Sequence, residues 1–459
     1  MNWDDLSAST TEIVGVESTE RRRGTLPNVV TSADVKLTYN TERDSFVPYL
    51  LGDINANPEG LRIHEEKSDR PVLELVARAF LSNVSGTERS VVVNLPESVF
   101  DTSDNEWVDK DRWIVSDKQA VVDTISELQS VCTVFLTAGA RGISQRDSTI
   151  TYDRAQGQVQ VDGYVNLTDW GVPLQTALDS DVNAMSKGAN APTGVWNPQF
   201  ETSGKLGLLR EAKQLVHQRQ GVELPRFTRI ETVSDVRNFY EELGRRVVVK
   251  GPYGTWGDEV VVVDDPQSIR RKALEKEQIV RDKRSFSDFS ILCENKEEFC
   301  FNSRANTSHY GVVEEAIAGT FERDNVQYET FEIPPRCHPD SENSPIDFVP
   351  LVVRDTSAPG STDSTVVSTV VRVSSKPDLN ANAGTEYVNY YTLEEIRDGS
   401  VAIPNPRDEA TFDVDLWELL ERTAGRTVTS GELQDAIRAA GHVAFAVRNR
   451  CGTIAENQL

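Results

Sequence analysis

The sequence is short of cysteine, of uninterrupted apolar runs and of positive charge. Five cysteines occur in 459 residues, an odd number without a C-x-x-C pair, so neither a disulfide framework nor a zinc ribbon is expected. Cys337 and His338 are neighbours in sequence, and an extended segment would point their side chains apart, which argues against a shared metal. No stretch approaches the roughly 18 apolar residues of a membrane-spanning helix. The N-terminal MNWDDLSASTTEIVG has neither the basic nor the apolar region of a secretion signal, so a cytoplasmic protein with no membrane partner is expected. Lysine and arginine number 48 against 73 acidic residues, a net charge of −25. A surface of that sign repels a phosphate backbone and disfavours generic nucleic-acid binding, a local basic groove apart. It matches the solvated acidic surface of halophilic proteins.

Hydrophobic residues are present at 38%, enough to build real cores, and the length exceeds what one core usually serves, so two or three domains are expected. Residues 1–45, rich in Ser, Thr, Glu and Arg, suggest an irregular arm. From 46 to 194 short strand-like runs (90–94, 132–136) alternate with helical ones (117–129), an α/β pattern. Residues 148–152 and 157–161 flank a polar turn and predict a hairpin. Residues 179–192, rich in Ser, Asn, Ala and Gly, read as a linker.

Beyond the linker the pattern sharpens. Leu208, Leu209, Ala212, Leu215 and Val216 fall at helical spacing and stop before Gly221. Ser234 is placed to cap a second helix with Val236, Phe239, Tyr240 and Leu243 on its apolar side, ended by Gly244. Two strands follow, 246–250 and 259–263, joined by Gly251-Pro252-Tyr253-Gly254-Thr255-Trp256-Gly257-Asp258. A lysine ending a strand can extend its ammonium toward phosphate oxygens, while glycines let the next loop lie against them with its N–H groups exposed. Lys250, Gly254 and Gly257 have that form. The lysine precedes the glycines, so this is not a Walker A loop.

The order Trp196-Asn197-Pro198, Lys205, helix, Gly221-Val222-Glu223-Leu224-Pro225, helix, Val247-Val248-Val249-Lys250 and glycine loop resembles the opening of an ATP-grasp domain. The resemblance is closest to ligases that glutamylate proteins or assemble glutathione. It implies an α/β fold, with an N-terminal α/β preparatory domain followed, over 195–459, by an ATP-grasp domain of two α+β subdomains. Residues 320–365 read as a lid or insertion. Lys205 and Lys250 take the places of the ATP-phosphate ligands, although Arg210 has the more usual distance to the Gly-x-x-x-Pro turn. Glu314 and Glu315, in Gly311-Val312-Val313-Glu314-Glu315, take the place of the acid beside the adenine.

For magnesium the resemblance offers two registers. In one, Asp378-Leu379-Asn380 is the acid-x-Asn pair and Asp363 the upstream carboxylate. In the other, Asn380 to Gly384 precedes the metal segment, Arg372 is the anion-binding arginine, and the ligands lie near Glu456-Asn457, after final strands formed from 441–448. The implied reaction is ligation of a carboxylate to an amine, with small-molecule or peptide substrates, ATP and Mg2+, through an acyl phosphate steadied by Arg372. The alternative is a non-catalytic nucleotide-binding or scaffold protein that retains the fold. Oligomeric state, homo-oligomer included, stays open.

Overall fold

The structure, a computed structural model, describes residues 28–454 except 56–59, 83, 85–88, 109–111, 129–130, 140, 147–148, 155–156, 168–193, 196–203, 217–220, 253–256, 258, 285–288, 302–310, 334–343, 357–362, 375–387 and 405–410. It begins with a long hairpin. Strands β1 (Val30–Asn40) and β2 (Ser45–Asn55) pair antiparallel from Ser32↔Asn55 to Asn40↔Ser45. The Asn40 carboxamide oxygen accepts from the amides of Glu42 and Arg43 at 3.1 and 2.9 Å and so closes the turn. The irregular arm expected over 1–45 therefore gives way to a strand at Val30. Polar residues obscure it, yet Ala33, Val35, Leu37 and Tyr39 all enter the core, the two-residue period of a strand.

Helix α1 (Val72–Leu81), β3 (Arg89–Leu95), α2 (Trp113–Glu127), β4 (Val131–Ala138) and β5 (Gly163–Asn166) follow. They build a parallel sheet in the order 194–195, β5, β3, β4. Val76 and Phe80 of α1 and Val122 and Ile125 of α2 pack against Val91, Val93 and Val165. The expected hairpin is present as Thr149–Arg154 and Gly157–Gln160. Strand β2, at the start of the domain expected over 46–194, pairs with β1 and not with this sheet.

The next group is α3 (Lys205–Val216), β6 (Phe227–Ile230), α4 (Val233–Leu243), β7 (Val247–Lys250), β8 (Val260–Val263), α5 (Ile269–Arg284) and β9 (Gly311–Glu315). The strands form a small antiparallel sheet in the order β6, β9, β7, β8. Helix α4 is capped by Thr232, two residues before the expected Ser234. The Thr232 hydroxyl accepts from the Asp235 amide, and the Asp235 carboxylate accepts from the Thr232 amide, a reciprocal capping box. Cys293 and Cys300, after α5, are disulfide-bonded, a local staple that the odd cysteine count did not suggest.

The last group is β10 (Ser344–Arg354), β11 (Ser364–Ser374) and α6 (Ser430–Ile454). Strand β10 pairs with β1 and with β11. The large sheet thus runs 320–323, 326–330, β1, β10, β11, 388–391, with β2 on β1. Within 320–365, expected as a lid or insertion, residues 320–323, 326–330 and 344–354 are strands of the large sheet. One expectation is corrected here. The strands expected over 441–448 are helix: Leu433, Ile437, Ala440, Val443, Ala444 and Val447 line one core-facing stripe at helical spacing. No described helix is long and apolar enough to cross a membrane.

His64, in the short helix Leu61–Glu66, is buried with Nδ1 3.1 Å from the Ser368 hydroxyl on β11. Burial pushes its pKa down from 6.5 to about 3. The unfolded chain therefore binds a proton that the folded chain refuses. Stability from this group is complete above pH ~6.5 and is lost as the pH falls toward ~3, at about 1.4 kcal/mol per pH unit. Urea denaturation between pH 7 and 4 should show a shallower acid decline in His64→Gln than in the parent chain.

Candidate active site

Alternation along the small sheet decides what its two faces carry. Val247, Val249, Val261, Val263 and Val313 join α4 and α5 in one core. The opposite face carries Val248 and Lys250 of β7 and, across the strand pair, Val312 and Glu314 of β9. Leu206 and Leu209 of α3 pack on Val312, which brings Lys205, the first residue of that helix, to the same side. The Lys205 amide donates to the Pro252 carbonyl at 3.1 Å, tying the helix start to the beginning of the glycine loop.

The large sheet obeys the same rule. Val35, Leu37, Phe348, Val371 and Val373 face the core shared with α6, so Asp34, Lys36, Asp347 and Arg372 occupy the other face. Asp347 lies directly opposite Arg372 across β10 and β11. On β2, Ile54 and Leu50 are in that core, and Asp53 and Leu51 point away from it. This second face meets the charged face of the small sheet around a cavity of about 40 Å³, lined by Asp34, Lys36, Asp53, Lys250, Glu314, Asp347 and Arg372 together with apolar Leu51, Val248, Val260, Ala316 and Ile317.

Ion pairs fill the space between the sheets. Lys205 and Lys250 both bond to Asp53, one to each carboxylate oxygen, the Lys250 contact at 2.9 Å. Lys250 also reaches Glu314 at 3.0 Å. Arg372 bridges Asp34 at 2.7 Å and Asp347 at 2.9 Å, and Lys36 takes the other Asp347 oxygen at 2.6 Å. Four cations thus meet four carboxylates. Burial opposes the Lys250 charge, but Asp53 and Glu314 outweigh it and hold its pKa above the ordinary lysine range. Burial likewise pushes Asp53 up, while Lys205 and Lys250 pull it well below the usual carboxylate range. For Asp34 and Glu314 burial wins, and both pKa values are raised. Glu314 Oε1 and Arg372 Nε are buried and have no hydrogen-bond partner among the described residues.

Of the residues singled out in the sequence, Lys205, Lys250, Glu314 and Arg372 converge here. Arg210, the alternative to Lys205, is exposed. Glu315 also lines the cavity, but its carboxylate is not part of the cluster: it pairs with Arg245 and accepts from the Arg226 amide at 2.9 Å. Gly257 has a positive φ of 71°, as a glycine turn requires. Asp363 is exposed at the far end of β11 from Arg372, roughly 30 Å away at strand rise, so it does not join the cluster. Gly254, Asp378, Asn380, Glu456 and Asn457 lie outside the described residues.

Sequence reasoning missed Asp34, Lys36, Asp53 and Asp347. A signal existed: Asp53-Ile54-Asn55 has the same acid-x-Asn spacing that drew attention to 378–380, and a two-residue step on a strand places both side chains on one face. Among the described residues no group of three His, Cys, Asp or Glu side chains is arranged to hold a metal. The carboxylates are turned toward lysine and arginine instead.

Neither a protein-family model nor a curated protein matches the chain. Solved structures similar to it include D-alanyl-alanine synthetase A from Vibrio cholerae O1 biovar eltor, at 10% identity over 78% of this chain and 100% of that one, with a TM-score of 0.30. A RimK domain ATP-grasp protein from Sphaerobacter thermophilus shares 10% identity over 77% and 97%, with a TM-score of 0.27. The ATP-grasp ligase PsnB, solved with a minimal precursor, shares 12% over 77% and 99%, with a TM-score of 0.29. Superpositions with such scores are loose, and the chemistry is read from the charge cluster itself.

The cluster constrains the backbone beneath it. A Cβ on Gly52 would lie 2.5 Å from Glu314 Oε1 and 3.2 Å from Leu209 Cδ1, and Glu314 is pinned by Lys250. Gly52→Ala should cost about 1–3 kcal/mol through overpacking, measured by urea unfolding. Adding Glu314→Ala should recover part of that loss.

Proposed function

We propose that the chain is an ATP-grasp ligase that uses ATP and Mg2+ to join a carboxylate to an amine. The observation that carries this reading is the convergence of Lys205 and Lys250, from separate segments, on one carboxylate between two sheets. Two ammonium groups held that close suit consecutive phosphates of a nucleotide, and the buried setting strengthens each contact.

Charge balance explains why both ligands are needed. With cations and carboxylates equal in number, a triphosphate alone would bring uncompensated negative charge, and magnesium alone would bring positive charge. Bound together they would leave the charge nearly balanced, with the lysines as partners for phosphate and the carboxylates as those that would hold the metal. Asp34 and Asp53, with Asn55 on the same face as Asp53, supply the hard oxygen donors that magnesium prefers. When bound, the metal supplies neutralisation of phosphate charge. The partnerless Glu314 Oε1 and Arg372 Nε fit a site built to make further polar contacts.

The remaining roles follow from position. Lys205 and Lys250 offset phosphate charge, and the resemblance gives the glycine loop after Lys250 the part of excluding water. Glu314 and the apolar patch of Leu51, Val248, Val260, Ala316 and Ile317 receive the nucleoside end. Arg372 steadies the anionic acyl group. A substrate carboxylate oxygen attacks the γ-phosphorus and ADP leaves, after which an amine displaces inorganic phosphate from the acyl phosphate. The cavity of about 40 Å³ has room for little beyond one water, so nucleotide entry requires the sheets to part. Asp34 and Asp53 offer carboxylates for a metal and so favour the ligase over a non-catalytic nucleotide-binding or scaffold protein.

Thermal unfolding is expected to shift little with ATP alone or magnesium alone and clearly with both, by about 2.7 kcal/mol at a hundredfold excess over Kd. Lys250→Met should abolish the gain, and should lower magnesium-dependent ADP release by about a hundredfold or more. A parent chain that gains no stability from the pair would sink the proposal.

A further inference from the structure

Next to the charge cluster, a groove of about 1220 Å³ runs beside β6, between α3 and α4. It exceeds the roughly 300–1,000 Å³ typical of small-molecule sites. Arg43, Lys213, Arg226, Phe227, Arg229 and Arg323 line it. Against five cations stand four acids, Glu223, Asp235, Glu242 and Asp324, in a chain whose overall ratio is 48 to 73. Three of these acids already have partners. Asp235 caps α4, Glu223 faces Arg323 at 3.9 Å, and Asp324 faces Arg226 at 3.4 Å. Arg43 and Lys213 have no ion pair among the described residues, and the Lys213 ammonium lies 5.9 Å from the centre of the Phe227 ring.

The floor of the groove is a sheet edge. Strand β6 ends the small sheet, and among the described residues it pairs only with β9. The Glu315 amide donates to the Arg226 carbonyl at 2.8 Å. In antiparallel pairing, alternate residues direct their backbone groups to opposite sides, so the N–H and C=O of Phe227 face the groove. Positive residues on an edge deter pairing with a chain of like charge. An acidic strand would meet them as partners, while the rest of this acidic surface repels it.

We infer that this groove docks an extended acidic peptide, added as a strand to β6, with its carboxylates against Arg43 and Lys213. Main-chain hydrogen bonds hold the peptide, and the cations select it. Lys213 lies two turns of α3 beyond Lys205, about 12 Å along the helix, and Phe227 stands directly across β9 from Glu314, so the groove adjoins the charge cluster.

The test is fluorescence anisotropy with a labelled peptide of alternating Val and Glu, beside a Val and Lys peptide and a Val and Glu peptide N-methylated at alternate amides. The intact chain should bind only the first. Arg43→Glu combined with Lys213→Glu, both exposed positions, should keep the circular dichroism spectrum and weaken that binding by at least about tenfold. No binding of the first peptide, equal binding of the Lys peptide, or an unaffected double variant overturns the inference. Equal binding of the methylated peptide overturns it too, since charge alone would then account for docking.

Discussion

One carboxylate organises this molecule. Asp53 is the shared counter-ion of two lysines that would otherwise repel one another, and it reaches them from a third segment of the chain. A buried cation is tolerable only when paired, so the position of Asp53 fixes where α3 can begin and where β7 can end. Through Lys250 the constraint passes to Glu314, and through Glu314 to the bare backbone at Gly52. The contact between the two sheets is therefore electrostatic at its centre and apolar at its margins.

Such a cluster is a poor way to gain stability. Taking eight charges out of water costs several kcal/mol per ion, and hydrophobic replacements would often do as well or better. Stability comes instead from the valine-rich faces turned the other way, in the cores beneath each sheet. The alternation of strands makes the division possible: one face of each sheet holds the fold, and the other is free to carry chemistry that stability alone would not favour.

Much of this was legible locally. The helices at 205–216 and 233–243 and the strands flanking the glycine loop show clear periods, and Lys250 is visible at a strand end. Arg372 and Glu314 were found through resemblance. What was not legible depends on pairing across the chain. Val30 to Asn40 looks like an arm because nothing near it in sequence explains its apolar residues; its partner is Ser344–Arg354. Asp53-Ile54-Asn55 was passed over for the same reason, since it precedes every other site residue except Asp34 and Lys36. The resemblance implied final strands over 441–448, and only the spacing of Val443 against Leu433 and Ile437 distinguishes the helix.

The placement of β1 and β2 has a consequence for biosynthesis. The strand that completes its sheet leaves the ribosome roughly 300 residues after this hairpin, an interval of about 15–60 s at ordinary elongation rates. Until then a half-finished sheet exposes an open edge, the situation in which nascent chains aggregate. Lys36, Asp34 and Asp53 on one side of the ribbon keep that side wetted during the wait. The same charges that later sit between the sheets would thus also act as the hairpin's solubilising surface before its neighbours arrive.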